Sequence, residues 1–523
     1  MLSATPSPLA ALEPRLRSLL PASLYADAWL NPTPAMLMRV FEHLRTLLHI
    51  LHDHLPRPVT VDPPTPGELR YEWQEGTLMF TDLAGFTPLM EANAARGSAG
   101  ARELLRLLNT YFAAMLEIIS KSGGNLLEFT GDAMLIQFPP DQDGRDTVQA
   151  VRAGLRMQRA MADFAHIDTP QGQFSLGMRV GIHTGRFLTA DIGTPLRMER
   201  VLLGSVVLLT KKAEGLCKIG RVCLSKAARA RVGDRFRFVP GQSGHVLVVD
   251  DLDSRQLGEY DLSSPGKRPA STLLLDRSSE GLVAEIAGVL ERVEPLASLL
   301  PAPILKLLVE NTARRRIPPD FLEPTVLFVK LLGLSEMADQ AQPGEEALLV
   351  TSFSRAFALI NAAVEARGGV LKKVTYHQVG SDMLIFFGPP NAHTDDPIRA
   401  ADTALAIREI VAGLTPPVIS GRHVDVGCKI GLARGPAFAA EIGEPRGRRE
   451  YNILGDSLNV AARLMDRAGT NQILLTEVVY NEIAERFACE PLGHFSLKGK
   501  STPIRVLALL GPQADDELVS ALG

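Results

Sequence analysis

Gly76-Thr-Leu-Met-Phe-Thr-Asp-Leu-Ala-Gly-Phe-Thr87 occurs twice in this chain, the second time as Pro324-Thr-Val-Leu-Phe-Val-Lys-Leu-Leu-Gly-Leu-Ser335, 248 residues later. Each version reads as a short apolar strand running into a glycine turn. Later landmarks repeat as well. Leu104, Leu108, Phe112, Met115 and Ile119 form one apolar helix stripe, and Leu349, Phe353, Phe357, Ile360 and Val364 repeat its spacing. Both stripes end at a glycine pair, Gly123-Gly124 and Gly368-Gly369, where a left-handed helix cap is expected. Gly131-Asp-Ala-Met-Leu-Ile-Gln-Phe138 then matches Gly380-Ser-Asp-Met-Leu-Ile-Phe-Phe387, Gly181-Ile-His-Thr-Gly185 matches Gly431-Leu-Ala-Arg-Gly435, and Leu203-Gly204 matches Leu454-Gly455. Five landmarks in one order at a nearly constant offset identify a tandem duplication.

Within each copy strands alternate with helices, and a hairpin centred on Gly131 or Gly380 demands antiparallel pairing. That predicts an α+β fold with helices packed against a mostly antiparallel sheet. The chain divides into a proline-rich helical segment at 1–70, the first copy at 71–263, a linker at 264–320, the second copy at 321–511 and a tail at 512–523. Met36 to Leu55 reads as an amphipathic helix stopped by Pro56. Its His43, His49, His52 and His54 read as packing or solvated residues, because no cysteine or second acidic cluster joins them to make a metal site. Arg314-Arg315-Arg316 in the linker reads as a solvated helix end.

The composition sets outer bounds. A chain of 523 residues is too long for one core. At 46% hydrophobic and 22% charged residues it is neither disordered nor collagen-like. Subtracting 59 acidic from 55 basic side chains leaves −4, so no global field draws nucleic acid or an anionic membrane. Cys217, Cys223, Cys428 and Cys489 have neither zinc-site nor framework spacing and read as buried thiols in a reducing compartment, with Cys217 and Cys223 near enough to meet. Glu13, Arg15 and Arg17 interrupt any apolar signal core, and no uncharged run approaches the ~18 residues of a membrane helix. A soluble, cytoplasmic chain is expected.

The chemistry concentrates at a few positions. Asp82 closes an apolar strand and Asp132 follows the hairpin glycine, so pairing of the two strands brings both carboxylates to one sheet edge. Two carboxylates completed by substrate phosphates are a usual magnesium site. Gly85, Phe86 and Thr87 then turn into a helix whose backbone N–H groups can receive phosphate. The second copy has Lys330 and Ser381 where the first has Asp82 and Asp132. It holds instead Asn459 and Arg463, four apart on one helical face, where the first copy has Leu208 and Lys212. Each copy keeps what the other has lost.

Phe80-Thr-Asp-Leu-Ala-Gly-Phe-Thr87 with Gly131-Asp132, followed by Asn452-Ile-Leu-Gly-Asp-Ser-Leu-Asn-Val-Ala-Ala-Arg463, resembles the class III nucleotidyl cyclases. The tandem arrangement, with Tyr451-Asn-Ile-Leu-Gly455 and Lys372-Lys-Val-Thr-Tyr-His-Gln-Val-Gly-Ser381, is similar to the soluble adenylyl cyclases in particular. The resemblance implies ferredoxin-like domains paired head to tail within one chain as a pseudo-heterodimer, acting as a monomer. It implies conversion of ATP to 3′,5′-cyclic AMP and pyrophosphate with two divalent cations, Mg²⁺ or Mn²⁺. Asp82, Asp132 and the Leu83 carbonyl would be the metal ligands, Asn459 would orient the ribose and Arg463 would stabilise the transition state. Lys373 would read adenine beside Asn452, while Arg179 and Lys498 or Lys500 would contact the triphosphate. Asn452 departs from the family's Asp or Thr, and an amide can accept from adenine or donate to guanine, which leaves GTP open as a substrate.

The resemblance also implies a second, degenerate interface site built from Lys330, Ser381, Glu128, Leu208 and Lys212, without metal ligands and therefore non-catalytic. In soluble cyclases bicarbonate acts at this place through a lysine where this chain has Glu128. A carboxylate there repels an anion, although Lys211 is expected to retain a cation nearby. A nucleotide-binding sensory module without turnover is the rival reading.

Overall fold

The computed structural model describes residues 9–140, 144–258, 276–376, 381–444, 447–497 and 502–513. Lys498 and Lys500, the turn at Gly380, the start of the linker and nearly all of the expected tail lie outside the described residues. In the first copy the sheet runs Asn125–Thr130, Ala133–Phe138, Arg70–Ala84, Gly177–Thr194, Arg221–Leu224, Val246–Val248, Phe238–Pro240. The second copy repeats it place for place: Val370–Tyr376, Ser381–Phe387, Thr325–Leu332, Gly427–Arg434, Ile473–Thr476, Ile504–Pro512, Phe487–Phe495. The first four strands of each are antiparallel neighbours in the spatial order second, third, first, fourth, which is the ferredoxin-like arrangement.

Strand alternation separates two faces. Met79, Met134 and Ile136 face the helices Gly97–Lys121 and Asp146–Ala160 in the main core. Leu78, Phe80 and Leu135 face the other way, under Val206 and Val207 of the helix Ser205–Gly215. The predicted stripe is the buried one: Leu104, Leu108, Phe112, Met115 and Ile119 are almost fully covered, and so are its repeats in Glu346–Ala366. That second helix is long and apolar enough to cross a membrane by composition, but Leu349, Phe353, Phe357 and Ile360 are spent in the core of the second copy.

The copies are joined by exchanged arms. In the first, Gly177–Thr194 runs past its sheet and returns as Arg197–Leu203, burying Leu188, Ile192, Val201 and Leu203 in the second copy's core. In the second, Ala437–Gly443 and Arg449–Leu454 bury Phe438, Ile442 and Leu454 in the first copy's core. At roughly 1.5–3 kcal/mol for each large apolar side chain, this exchange is a main contributor to the fold. Two hydrogen bonds mark the pseudo-two-fold relation: Gly193 N–H donates to Ser354 Oγ at 2.9 Å, and Gly443 N–H donates to Asn109 Oδ1 at 3.1 Å. The chain is an intramolecular pseudo-dimer.

The N-terminal segment is part of the same body. Its main helix, Pro34–His54, starts under a Thr33 cap with proline at the first position and packs Val40, Phe41, Leu44 and Leu48 against Ile286, Val289 and Val293 of the linker helix Ser279–Ala297. His54 is buried beside Glu441 of the second copy, Nε2 to Oε1 3.0 Å, and His43 is bonded to the Leu19 carbonyl at 2.9 Å. Among the described residues no group of three or more potential metal ligands converges. The arginine run lies exposed in turns after the helix Ala302–Glu310. All four cysteines are free, and Cys217 and Cys223 lie side by side.

Candidate active site

The register that pairs Phe80 with Leu135 and Thr81 with Met134 runs out one residue later, and Asp82 and Asp132 emerge together at that edge. Burial first, and Asp82 second, push the Asp132 carboxyl up to about 7. On its other side Asp82 pairs in register with Arg179, whose guanidinium bonds the carboxylate and also reaches Glu214 through Nε at 3.1 Å. Two adjacent, half-buried carboxylates suit divalent cations. Among the described residues no third ligand converges on them, so ions held here would complete their shells with the Leu83 carbonyl, water and substrate phosphate.

Next along the chain, Gly85 has φ +90°, and a Cβ there would sit 2.3 Å from the Ser175 carbonyl oxygen. Only glycine permits this turn. It opens the helix Phe86–Ala94, placing first-turn N–H groups beside the carboxylates. The second copy keeps the turn, with Gly333 at φ +95°, but no α-helix follows before Glu346. Its Lys330 fills the place of Asp82 and is bonded to Asp466 at 2.8 Å.

The second copy's strand Arg449–Leu454 reaches the turn that carries Asp132, and the helix Asp456–Arg467 follows that strand. A Cβ on Gly131 would lie 3.7 Å from Leu454 Cδ2, and Asn452 Nδ2 donates a long 3.5 Å bond to the Gly131 carbonyl. Asn459 is exposed and Arg463 half-buried, and neither has a hydrogen-bond or ion-pair partner among the described residues. The pseudo-equivalent helix Ser205–Gly215 differs at its start, where Ser205 N–H donates to Asp339 Oδ2 of the second copy at 2.8 Å.

Lys373 is held deep in the interface. Its Nζ bonds the Phe129 carbonyl of the first copy and lies 3.0 Å from Glu450 and 3.3 Å from Glu128. No hydrogen bond joins it to Asn452 among the described residues. Lys372 also bonds Glu450, and Arg448 lies 3.1 Å from it. Burial would raise the Glu450 carboxyl, but these three cations hold it far below the usual carboxylate range.

Both copies match the model of the adenylate and guanylate cyclase catalytic domain, over residues 70–249 and 319–509. The chain belongs to that family. The chain is 31% identical over 216 residues to an adenylate cyclase of Mycobacterium bovis, covering 41% of this chain and 45% of the relative. It is 22% identical over 422 residues to an adenylate cyclase type 10 of Rattus norvegicus, covering 79% of this chain and 25% of the relative. The chain thus spans less than half the length of these relatives. Among solved structures, a class III adenylyl cyclase-like ATP-binding protein from Pseudomonas aeruginosa superposes with a TM-score of 0.53 at 15% identity, covering 85% of this chain and 93% of that one. That likeness extends the shared fold across both copies of the domain.

Three charge pairings escape a motif-based reading. Glu450 is two residues before Asn452 on one strand, so period-two alternation puts it on the same face. Glu214 holds Arg179 and, at 2.9 Å, Lys211, which also stacks on Phe80. Glu128 is claimed by Lys373 and by Thr375, whose hydroxyl donates at 2.5 Å. Nothing local to Glu214 or Glu128 signals those contacts.

Proposed function

We propose that this cyclase converts ATP to 3′,5′-cyclic AMP and pyrophosphate at one interdomain site, with Asp82 and Asp132 on one side and Asn459 and Arg463 on the other. The observation that carries the reading is an asymmetry between pseudo-equivalent places. The first copy carries the paired carboxylates and the helix that opens after Gly85, the second carries Asn459 and Arg463, and each copy has other residue types where its counterpart holds these.

Asp82, Asp132 and the Leu83 carbonyl would hold two divalent cations, Mg²⁺ or Mn²⁺, which when bound acidify the ribose 3′-hydroxyl and neutralise phosphate charge. The chain's own residues position and discriminate. The N–H groups at Gly85, Phe86 and Thr87 receive phosphate oxygens. Arg179 is shared between Asp82 and the triphosphate, and Asn459 holds the ribose. The Arg463 guanidinium, without a partner among the described residues, donates to the phosphate oxygens as charge develops on them, where preorganised donors contribute most. Lys373 and Asn452 read the base, with ATP favoured over GTP by the lysine. Lys498 and Lys500 are proposed as further triphosphate contacts.

The name of the mycobacterial relative supports the ATP reading. A nucleotide-binding module without turnover is the second reading, favoured by the description of the Pseudomonas structure. Incubating the purified chain with ATP, GTP, CTP and UTP, each with Mg²⁺ or Mn²⁺, and identifying products by mass separates them. Cyclic AMP as the main product is expected; absence of any cyclic nucleotide with either metal overturns the proposal. Control by bicarbonate at the degenerate place has less support, since Glu128 is a carboxylate engaged with Lys373 and Lys211 is held by Glu214. An unchanged rate on adding bicarbonate at fixed pH would remove it.

A further inference from the structure

A cavity of ≈ 210 Å³ lies between the copies, away from the Asp82 and Asp132 carboxylates. Its wall takes in Glu128 and Lys373 but none of Lys330, Leu208 or Lys212, so its centre lies apart from the degenerate site as well. Four parts of the chain enclose it: Val59 after the N-terminal helix, Leu300 and Ile304 of the linker, Leu127 and Leu202 of the first copy, and Val374 of the second. Packed interiors seldom leave voids much larger than a water molecule, whereas ligand sites are apolar hollows with a few placed polar groups.

The charges in the wall indicate what it would take. Arg70 and Arg200 both bond Asp191, at 2.9 and 2.6 Å, while Lys372, Lys373 and Arg448 converge on Glu450. An anionic ligand would have to displace one of these paired carboxylates. Glu199 differs. Its Oε2 accepts from Arg197 at 2.7 Å, while Oε1 has no hydrogen-bond partner among the described residues, and the side chain keeps 15% exposure. Burial pushes this carboxyl up to about 7 in spite of Arg197. Glu199 therefore faces a cavity that Leu127, Leu202 and Leu300 line together with Gln74 and Gln137.

We propose that this cavity binds a small, neutral, mostly apolar molecule whose single hydrogen-bond donor meets Glu199. Indole, flat and neutral with one N–H, is the probe. Equilibrium dialysis of indole against the full chain should show saturable binding of one molecule per chain. Leu300→Trp, which fills the cavity from the linker side, should weaken it by about tenfold or more, and Glu199→Gln, which replaces the accepting carboxylate, by less. If Leu300→Trp does not fold, Thr189→Phe fills the cavity from the sheet side. Three results would overturn the proposal: no saturable binding to the wild-type chain, binding that the filling variants leave unchanged, or displacement of indole by ATP or by bicarbonate. Displacement by ATP would put the probe in the base pocket that shares Lys373 with this cavity, and displacement by bicarbonate would mark the cavity as an anion site.

Discussion

Replacing Asp132 by Asn should stabilise the metal-free protein while abolishing turnover. A carboxyl that titrates near 7 rather than at its ordinary 3.8 carries ~4 kcal/mol against its ionised form. Solvent on its exposed part reduces this to about 2–4 kcal/mol. The location of the proton sets the sign. Between pH 3.8 and about 7 the folded chain holds a proton that the unfolded chain has released, so stability falls as pH rises through that window and levels off above it. Asp132→Asn keeps the shape of the side chain and removes the charge. Urea unfolding in EDTA should therefore show the variant ahead by about 2–4 kcal/mol at pH 8 and by less than half of that at pH 5. Magnesium should narrow the gap at pH 8 by stabilising the wild-type chain alone. The reasoning is refuted if the variant is equally or less stable at pH 8 in EDTA, or if both proteins lose stability with the same slope between pH 4 and 7.

Arg463→Ala should lower kcat for cyclic AMP formation by about 10²–10³ with little change in ATP binding, measured by initial rates and by equilibrium binding of a non-reacting analogue. Gly85→Ala forces a Cβ to within 2.3 Å of the Ser175 carbonyl oxygen at positive φ; a loss of about 1–3 kcal/mol in thermal or urea unfolding is expected, with a raised KM for the triphosphate. The double substitution Lys330→Asp with Ser381→Asp should not create a second active site, because no α-helix opens at Gly333 as one does at Gly85; analogue titration should still find one catalytic site per chain. His54→Ala removes the buried partner of Glu441 and should cost about 1–3 kcal/mol, read as a lower Tm and faster amide exchange in Pro34–His54 and Arg449–Leu454.

Periodicity made the local structure legible. The 3.6-residue stripe from Leu104 to Ile119 and its repeat from Leu349 to Val364 are the buried faces of their helices, and the antiparallel hairpin at Gly131 follows from its glycine and flanking apolar runs. The register that brings Asp82 beside Asp132 is of the same kind, since strand ends and turns are short-range features. The partition of site residues between copies could be read because a duplication supplies its own comparison: Lys330 against Asp82, Leu208 against Asn459. Alternation would have exposed Glu450 too, but a motif centred on Asn452 drew attention past it.

The partners across the interface were beyond reach. Glu128 and Lys373 are 245 residues apart, and their pairing depends on how two folded sheets dock, not on any spacing along the chain. The same is true of Asp339 at the start of Ser205–Gly215, of His54 against Glu441, and of the cavity closed by residues from four segments. Sequence alone determined that there are two copies of one domain, which strands and helices each contains and which copy carries the carboxylates, because those properties arise from side-chain period and turn chemistry. Only the tertiary structure decided which charges neutralise one another and where an apolar hollow remains, because burial and pairing between distant residues arise only once the exchanged arms have brought the two cores together.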